Sequence, residues 1–305
     1  MTNAGLLIGR SLNPSMPKHI PVLLKESVEG LNLEPNKLFV DGTYGAGGHT
    51  SEVLRRFPEV KVIAIDQDPA ISKSETLNPK IEFKTGNFRD LDTLIGNVRP
   101  DAILLDIGIS SDQLAPPPSG GDGRGFSFLR TEPLDMRMSG TGPTAAEIVN
   151  SWDESAIELI LRGFDEEGCP RHIAREIVET RRKKKLETTT ELVEAVNRAK
   201  PRQFRERLNP ATKTFQALRI ATNSELDALE EGLVKSFDKL KTGGRLAVIS
   251  FHSLEDRIVK NFFREKAGEG KAKLINKKPI IPTEAEITEN PRSRSAKLRI
   301  VEKVK

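Results

Sequence analysis

The chain of 305 residues is poor in cysteine and aromatic side chains, and its net charge is small. Each scarcity narrows what it can be. A single cysteine, Cys169, can form no internal disulfide and no cysteine zinc site, which fits a reducing compartment such as the cytoplasm. No uninterrupted apolar stretch approaches the ~18 residues of a membrane span. The apolar run Leu6 to Ile8 is too short for a signal-peptide core, so residues 1–17 read as a polar, flexible tail. No short period runs through the sequence, which excludes collagen and coiled coil. Hydrophobic residues at 36% and charged residues at 30% fit a globular chain with a sizeable core.

The charge that is present is unevenly placed. From Arg171 to Lys213 there are 13 basic and 6 acidic residues, and from Asn290 to Lys305 there are 6 and 1, in a chain whose net charge is only +4. Two basic patches on a nearly neutral body suggest a polyanion whose phosphates they contact. A solvated helix face is the alternative reading of the same run.

Strand and helix signals alternate in the first part. Leu38 to Asp41, Val62 to Asp66, Ile81 to Phe83 and Ala102 to Ile107 are short apolar runs separated by helix-length segments, the pattern of a parallel sheet covered on both faces. The breaker cluster Pro116 to Gly125 ends that pattern, and residues 143–208 read as helices, with Ser151 and Glu154 spaced as a capping box. The α/β signal then returns. Leu226, Leu229, Leu233, Phe237 and Leu240 mark one helix face, Leu246 to Phe251 a fifth strand, and residues 297–304 a last one. We expect one α/β domain over 18–114 and 213–305, interrupted by a helical insertion over 115–212 that carries most of the basic excess.

The glycine-rich loop Asp41-Gly-Thr-Tyr-Gly-Ala-Gly-Gly-His49 lies between the first strand and a helix, where backbone can approach a ligand closely. Asp66 ends the second strand and can accept ribose hydroxyls. The dinucleotide fingerprint fits poorly, because Thr50 stands at the third glycine position and Asp41 would repel a pyrophosphate. A cationic ligand such as S-adenosylmethionine fits better. A nicotinamide oxidoreductase is the rival this disfavours, and an RNA-binding module without catalysis is another. No His, Asp or Glu spacing resembles a metal site.

Six segments together resemble the bacterial ribosomal RNA small subunit methyltransferase H family, also called MraW. They are the loop Asp41 to His49, Asp106-Ile-Gly-Ile-Ser-Ser111, Arg124-Gly-Phe-Ser-Phe128, Pro133 to Met138, Asn209 to Arg219 and Ser250 to Arg257. The resemblance runs from about His19 to Lys305. It implies a Rossmann-like S-adenosylmethionine-dependent core with an inserted all-helical substrate-recognition domain. It also implies methylation of cytosine N4 in the decoding region of 16S rRNA, with 16S rRNA or the 30S subunit as partner. By similarity the cofactor contacts fall on Gly47, Gly48, His49, Asp66, Phe88, Asp106 and Gln113. The stretch Pro116 to Gly121 looks longer than the family's usual loop.

Methyl transfer is an in-line displacement, so holding donor and acceptor at near contact is the main task. The cytosine amine is a weak nucleophile, and a carboxylate accepting its N–H would localise the lone pair and take the proton. Asp106, at a strand end, is the candidate; it can equally serve the cofactor's amino end. Phe126 and Phe128 are candidates to stack on the base, with core packing as the alternative. His252 could line the site. The exposed insertion could mediate a homodimer.

Overall fold

The computed structural model describes residues 20–69, 71, 79–108, 123–165, 168–200 and 209–305. Residues 1–17, Gln113, the Pro116 to Gly121 stretch, and Arg202, Arg205 and Arg207 lie outside the described residues. Helix α1 (Leu24–Gly30) leads into β1 (Leu38–Asp41), α2 (Gly48–Arg56), β2 (Lys61–Asp66), β3 (Ile81–Thr85), α3 (Leu91–Leu94) and β4 (Ala102–Asp106). Four helices follow: α4 (Ala145–Ser151), α5 (Glu154–Asp165), α6 (Pro170–Lys183) and α7 (Thr189–Ala199). The chain then runs through α8 (Thr212–Asn223), α9 (Glu225–Lys239), β5 (Arg245–Ser250), α10 (Ser253–Gly268), β6 (Ala272–Leu274), α11 (Glu284–Glu289) and β7 (Lys297–Lys303).

The strands form one sheet in the order β3-β2-β1-β4-β5-β7-β6. β1 pairs in parallel with both β2 and β4, β2 with β3, and β4 with β5; β7 is antiparallel to β5 and β6. The chain therefore reverses its winding at β1, and the crevice beyond the carboxyl ends of β1 and β4 is where open α/β sheets take ligands. Residues alternate between two cores, as the two-residue side-chain period requires. Val40, Ile63, Ile65, Ile103 and Leu105 face α3, α9 and α10, while Phe39, Val62, Leu104 and Ala247 face α1 and α2. The apolar runs have no polar face because both faces are covered.

The insertion has a third core of its own. Ile148, Ile157, Leu161, Ile173, Ile177 and Leu192 are fully buried in it, each contributing roughly 1.5–3 kcal/mol of burial. Phe215, Ala217 and Leu218 of α8 join this cluster, so the helical layer continues past position 212 to Asn223. Capping sets its helix starts: Thr144 with Glu147 and Thr188 with Glu191 form reciprocal boxes. The box expected at Ser151 and Glu154 does not form. Ser151 ends α4, and its hydroxyl donates to the Glu147 carbonyl. The sequence also gives no sign of β6, a three-residue strand held by pairing with β7 rather than by an apolar run. Among the described residues, no helix is long and apolar enough to cross a membrane.

Candidate active site

Three neighbouring parallel strands, β2, β1 and β4, each end in an aspartate: Asp66, Asp41 and Asp106. The register places Asp41 opposite Ala64 and Leu104, so Asp66 and Asp106 reach two residues farther than Asp41. Beyond these strand ends lies a cleft of about 1250 Å³, its open mouth included.

The three acids are held differently. Asp41, 1% exposed, lies beneath the glycine loop and does not line the cleft. It accepts the Thr50 hydroxyl at 2.7 Å and the Thr43 N–H at 3.3 Å. Burial pushes its pKa up to about 6, against those two hydrogen bonds. Asp66 lines the cleft; one oxygen accepts the Gly45 N–H at 2.7 Å and the other the Asp68 N–H at 2.8 Å. Burial raises its pKa as well. Asp106 also lines the cleft, with its side chain 21% exposed. Its backbone N–H donates to Thr43 Oγ1 at 2.6 Å, but its Oδ1 is buried with no partner. Burial first, then the charges of Asp41 and Glu255, push its pKa up to about 7.

The loop geometry needs its glycines. Gly47 adopts φ 72°, and a Cβ there would lie 2.5 Å from the Tyr44 ring. A Cβ on Gly48 would lie 2.2 Å from Pro21 Cγ. Tyr44 in turn packs edge-on against Phe83 at 5.6 Å. At the start of α2, His49 is buried with Nε2 3.1 Å from the Val22 carbonyl. A carbonyl only accepts, so Nε2 carries the proton and Nδ1 faces Asp106 Oδ2 at 3.7 Å, beyond hydrogen-bond range.

Of the seven residues singled out by resemblance, Gly48, His49, Asp66, Phe88 and Asp106 line the cleft. Gly47 caps α2 directly beside it, and Gln113 is outside the described residues. Phe126 is buried in the insertion core, and Phe128 packs edge-on against Phe215 at 5.7 Å. Neither faces the cleft, because the insertion needs both rings for its own core.

Sequence reasoning missed the residues that tie the insertion to the cleft. Met138, Asn223 and Glu225 line it. Asn223 accepts the Met138 N–H and donates to the Met136 carbonyl, both at 2.8 Å. Arg124 pairs with Asp68, and Arg219 grips both oxygens of Glu225 at 2.8 Å. Arg124, Met138 and Arg219 sit inside the quoted motifs, but spacing alone gave them no role.

The cleft wall is acidic. Asp66, Asp68, Asp106 and Glu225 line it, with Arg292 as the cationic side chain among the lining residues. That balance suits a ligand bearing sulfonium and ammonium charge and disfavours a pyrophosphate. Folding also brings Glu225, His252 and Glu255 within 4.8 Å of one another. Two facts argue against a metal there. Arg219 occupies both Glu225 oxygens, and His252 Nδ1 accepts the Glu255 N–H, which leaves the ring proton on Nε2.

The MraW methylase family matches residues 16–304. Ribosomal RNA small subunit methyltransferase H of Synechococcus elongatus is 46% identical over 305 residues, which cover 98% of this chain and 99% of that protein. The protein of the same name from Deinococcus radiodurans is 46% identical over 296 residues, 95% of this chain and 91% of that one. A solved putative methyltransferase from Streptococcus mutans, in complex with SAH, aligns over 93% of this chain and 99% of its own at 12% identity and a TM-score of 0.43, too distant a likeness to argue from.

Proposed function

Because the chain belongs to the MraW methylase family, we propose that its acidic cleft binds S-adenosylmethionine and that it methylates cytosine N4 in the 16S rRNA of the small ribosomal subunit. The cofactor supplies an electrophilic methyl group on a sulfonium. The chain's residues bind, orient and accept a proton. The observation that carries the reading is the row of strand-end acids around a glycine loop, with the wall nearly devoid of cations.

Asp66 holds the loop through the Gly45 N–H on one oxygen and accepts the Asp68 N–H on the other, and each oxygen keeps a lone pair for a ribose hydroxyl. Gly47 and Gly48 let the loop and the start of α2 come close to the amino-acid end, and His49 closes that wall. Phe88, buried against Gly232, lines the cleft where an adenine can pack on it. Gln113 belongs to this set by resemblance. Asp106 lines the crevice, its buried Oδ1 has no partner, and a carboxyl pushed up to about 7 suits a group that accepts a proton from the exocyclic amine. Attack by N4 would form the N–C bond and break the methyl–sulfur bond, leaving S-adenosylhomocysteine, and the N4 proton would pass to the Asp106 carboxylate.

The insertion supplies the RNA-facing surface. Arg182, Lys183 and Lys185 at the end of α6 are exposed, and among the described residues no carboxylate is seen to pair with them. An enzyme of ribosomal RNA works in the cytoplasm, where subunits assemble.

The test is transfer of labelled methyl from S-adenosylmethionine to 30S subunits from cells lacking this modification, followed by nucleoside analysis. Label in N4-methylcytidine is expected. Transfer to another nucleoside, or none with the cofactor bound, overturns the acceptor while leaving the cofactor site standing. For Asp106, the Asn variant should lose single-turnover rate by about 100-fold or more while binding S-adenosylhomocysteine normally. A matching loss of cofactor affinity would assign it to the cofactor's amino end instead.

A further inference from the structure

The start of α10 is capped by a reciprocal pair that uses only half of its polar atoms. His252 Nδ1 accepts the Glu255 N–H at 3.4 Å, and Glu255 Oε2 accepts the N–H groups of Phe251 at 2.8 Å and His252 at 3.2 Å. His252 Nε2 and Glu255 Oε1 remain. They lie 2.9 Å apart but off the N–H axis, so no hydrogen bond joins them, and both are buried without a partner. Nδ1 is an acceptor, so Nε2 carries the ring proton. The result is one donor beside one acceptor, both unsatisfied. Leaving such groups unpaired in the interior is costly, which makes them natural contacts for a ligand.

The pair lies directly behind the wall of the cleft and does not itself line the cleft. Phe251, the residue before His252, lines it, and so does Glu225, whose carboxylate lies within 4.8 Å of both groups. On the neighbouring strand, Asp106 lines the cleft; its Oδ1 is another buried side-chain atom without a hydrogen-bond partner, and its titration feels the Glu255 charge. Glu225 itself is committed to Arg219.

We infer that His252 and Glu255 read the Watson–Crick edge of the target base, with Glu255 Oε1 accepting one N4–H and His252 Nε2 donating to N3. This rests on the cytosine reading above. Cytosine offers a donor at N4 beside an acceptor at N3, the complement of this pair, and its second N4–H is left for Asp106 Oδ1. Uracil and guanine present the reverse order and would set carbonyl against carboxylate and N–H against N–H. Adenine shares cytosine's order, so the pair selects amino-bearing bases. The half-buried ring of Phe251 offers a face on which the base can stack. The same residues thus start the helix with one set of atoms and read the base with the other.

Glu255→Gln and His252→Asn test this, since Gln and Asn can still cap the helix. With 30S subunits as substrate, each variant should lose at least about 10-fold in kcat/KM, while affinity for S-adenosylhomocysteine stays within about two-fold, a change too small to count as a lost contact. Wild-type protein that labels cytosine N4, beside folded variants that keep kcat/KM within about three-fold (below the loss of one base contact), overturns the inference and leaves the function intact. Wild-type protein that fails to label cytosine overturns both. A measurement that needs no variant is the imidazole ¹⁵N signal of His252 in protein saturated with S-adenosylhomocysteine. It should move on addition of cytidine 5′-monophosphate and not of uridine 5′-monophosphate, and no response to either nucleotide refutes the contact.

Discussion

Replacing Asp106 by Asn should stabilise the ligand-free protein, and more so as pH rises. The folded chain holds the Asp106 carboxyl at about 7 through burial and the charges of Asp41 and Glu255. In the unfolded chain it titrates near 3.9. Between those values the native state binds the proton that the unfolded state has released, so ΔG of unfolding falls as pH rises. The penalty is absent below about pH 4, grows through the window, and is complete above about pH 7. At roughly 1.4 kcal/mol per pH unit, the full window is worth at most about 4 kcal/mol. Asn has the same shape and no charge to bury. Its advantage over Asp should therefore be larger at pH 8 than at pH 5, by about 2 kcal/mol once partial exposure is allowed for. Urea melts of both proteins at the two pH values measure this directly. An Asn variant whose advantage is the same at both, or that is less stable at pH 8, would refute the claim that the fold pays to keep this carboxyl at the cleft.

Three further outcomes are expected. Gly48→Ala puts a Cβ 2.2 Å from Pro21 Cγ and should cost about 1–3 kcal/mol together with cofactor affinity; unchanged calorimetric binding of S-adenosylhomocysteine would contradict the close approach. Arg219→Ala leaves the buried Glu225 carboxylate unpaired and should destabilise by about 3–5 kcal/mol, with Arg219→Met and Glu225→Leu together recovering most of it in thermal melts. Charge reversal of Arg182, Lys183 and Lys185 should weaken RNA binding and reduce its salt slope by roughly one per lost phosphate contact; a slope equal to wild type would return that run to a solvated helix face.

Much of the sheet was legible because its strands are buried on both faces. Leu38 to Asp41, Val62 to Asp66 and Ala102 to Asp106 are apolar runs that nothing else explains, and each ends on the acid at the crevice. β6 was illegible because only its pairing with β7 makes it a strand. Ser151 and Glu154 have the spacing of a capping box, but spacing cannot tell a helix start from the end of the helix before it. Phe126 and Phe128 follow glycines, as ligand-facing rings often do, yet the insertion's small core claims both. The contacts of Met138 with Asn223 and of Arg219 with Glu225 join segments that lie on different elements, and no local pattern encodes them.

The hydrogen bonds around the three strand-end acids divide them into two kinds. Asp41 and Asp66 each accept two donors, the Thr43 N–H and Thr50 hydroxyl on the one and the Gly45 and Asp68 N–H groups on the other, so their burial is offset within the chain and their carboxylates act as fasteners. Asp106 occupies the equivalent place on its strand and receives no such donor. The Thr43 hydroxyl oxygen accepts the Asp106 backbone N–H rather than approaching its carboxylate at hydrogen-bond distance. His49 turns its unprotonated nitrogen toward it, and Asp41 and Glu255 oppose its ionisation. Among the described residues, none donates to Asp106 Oδ1. A carboxyl left in that state is stabilised by what enters the cleft, and a cationic cofactor together with a target amine to deprotonate meets that need from both sides.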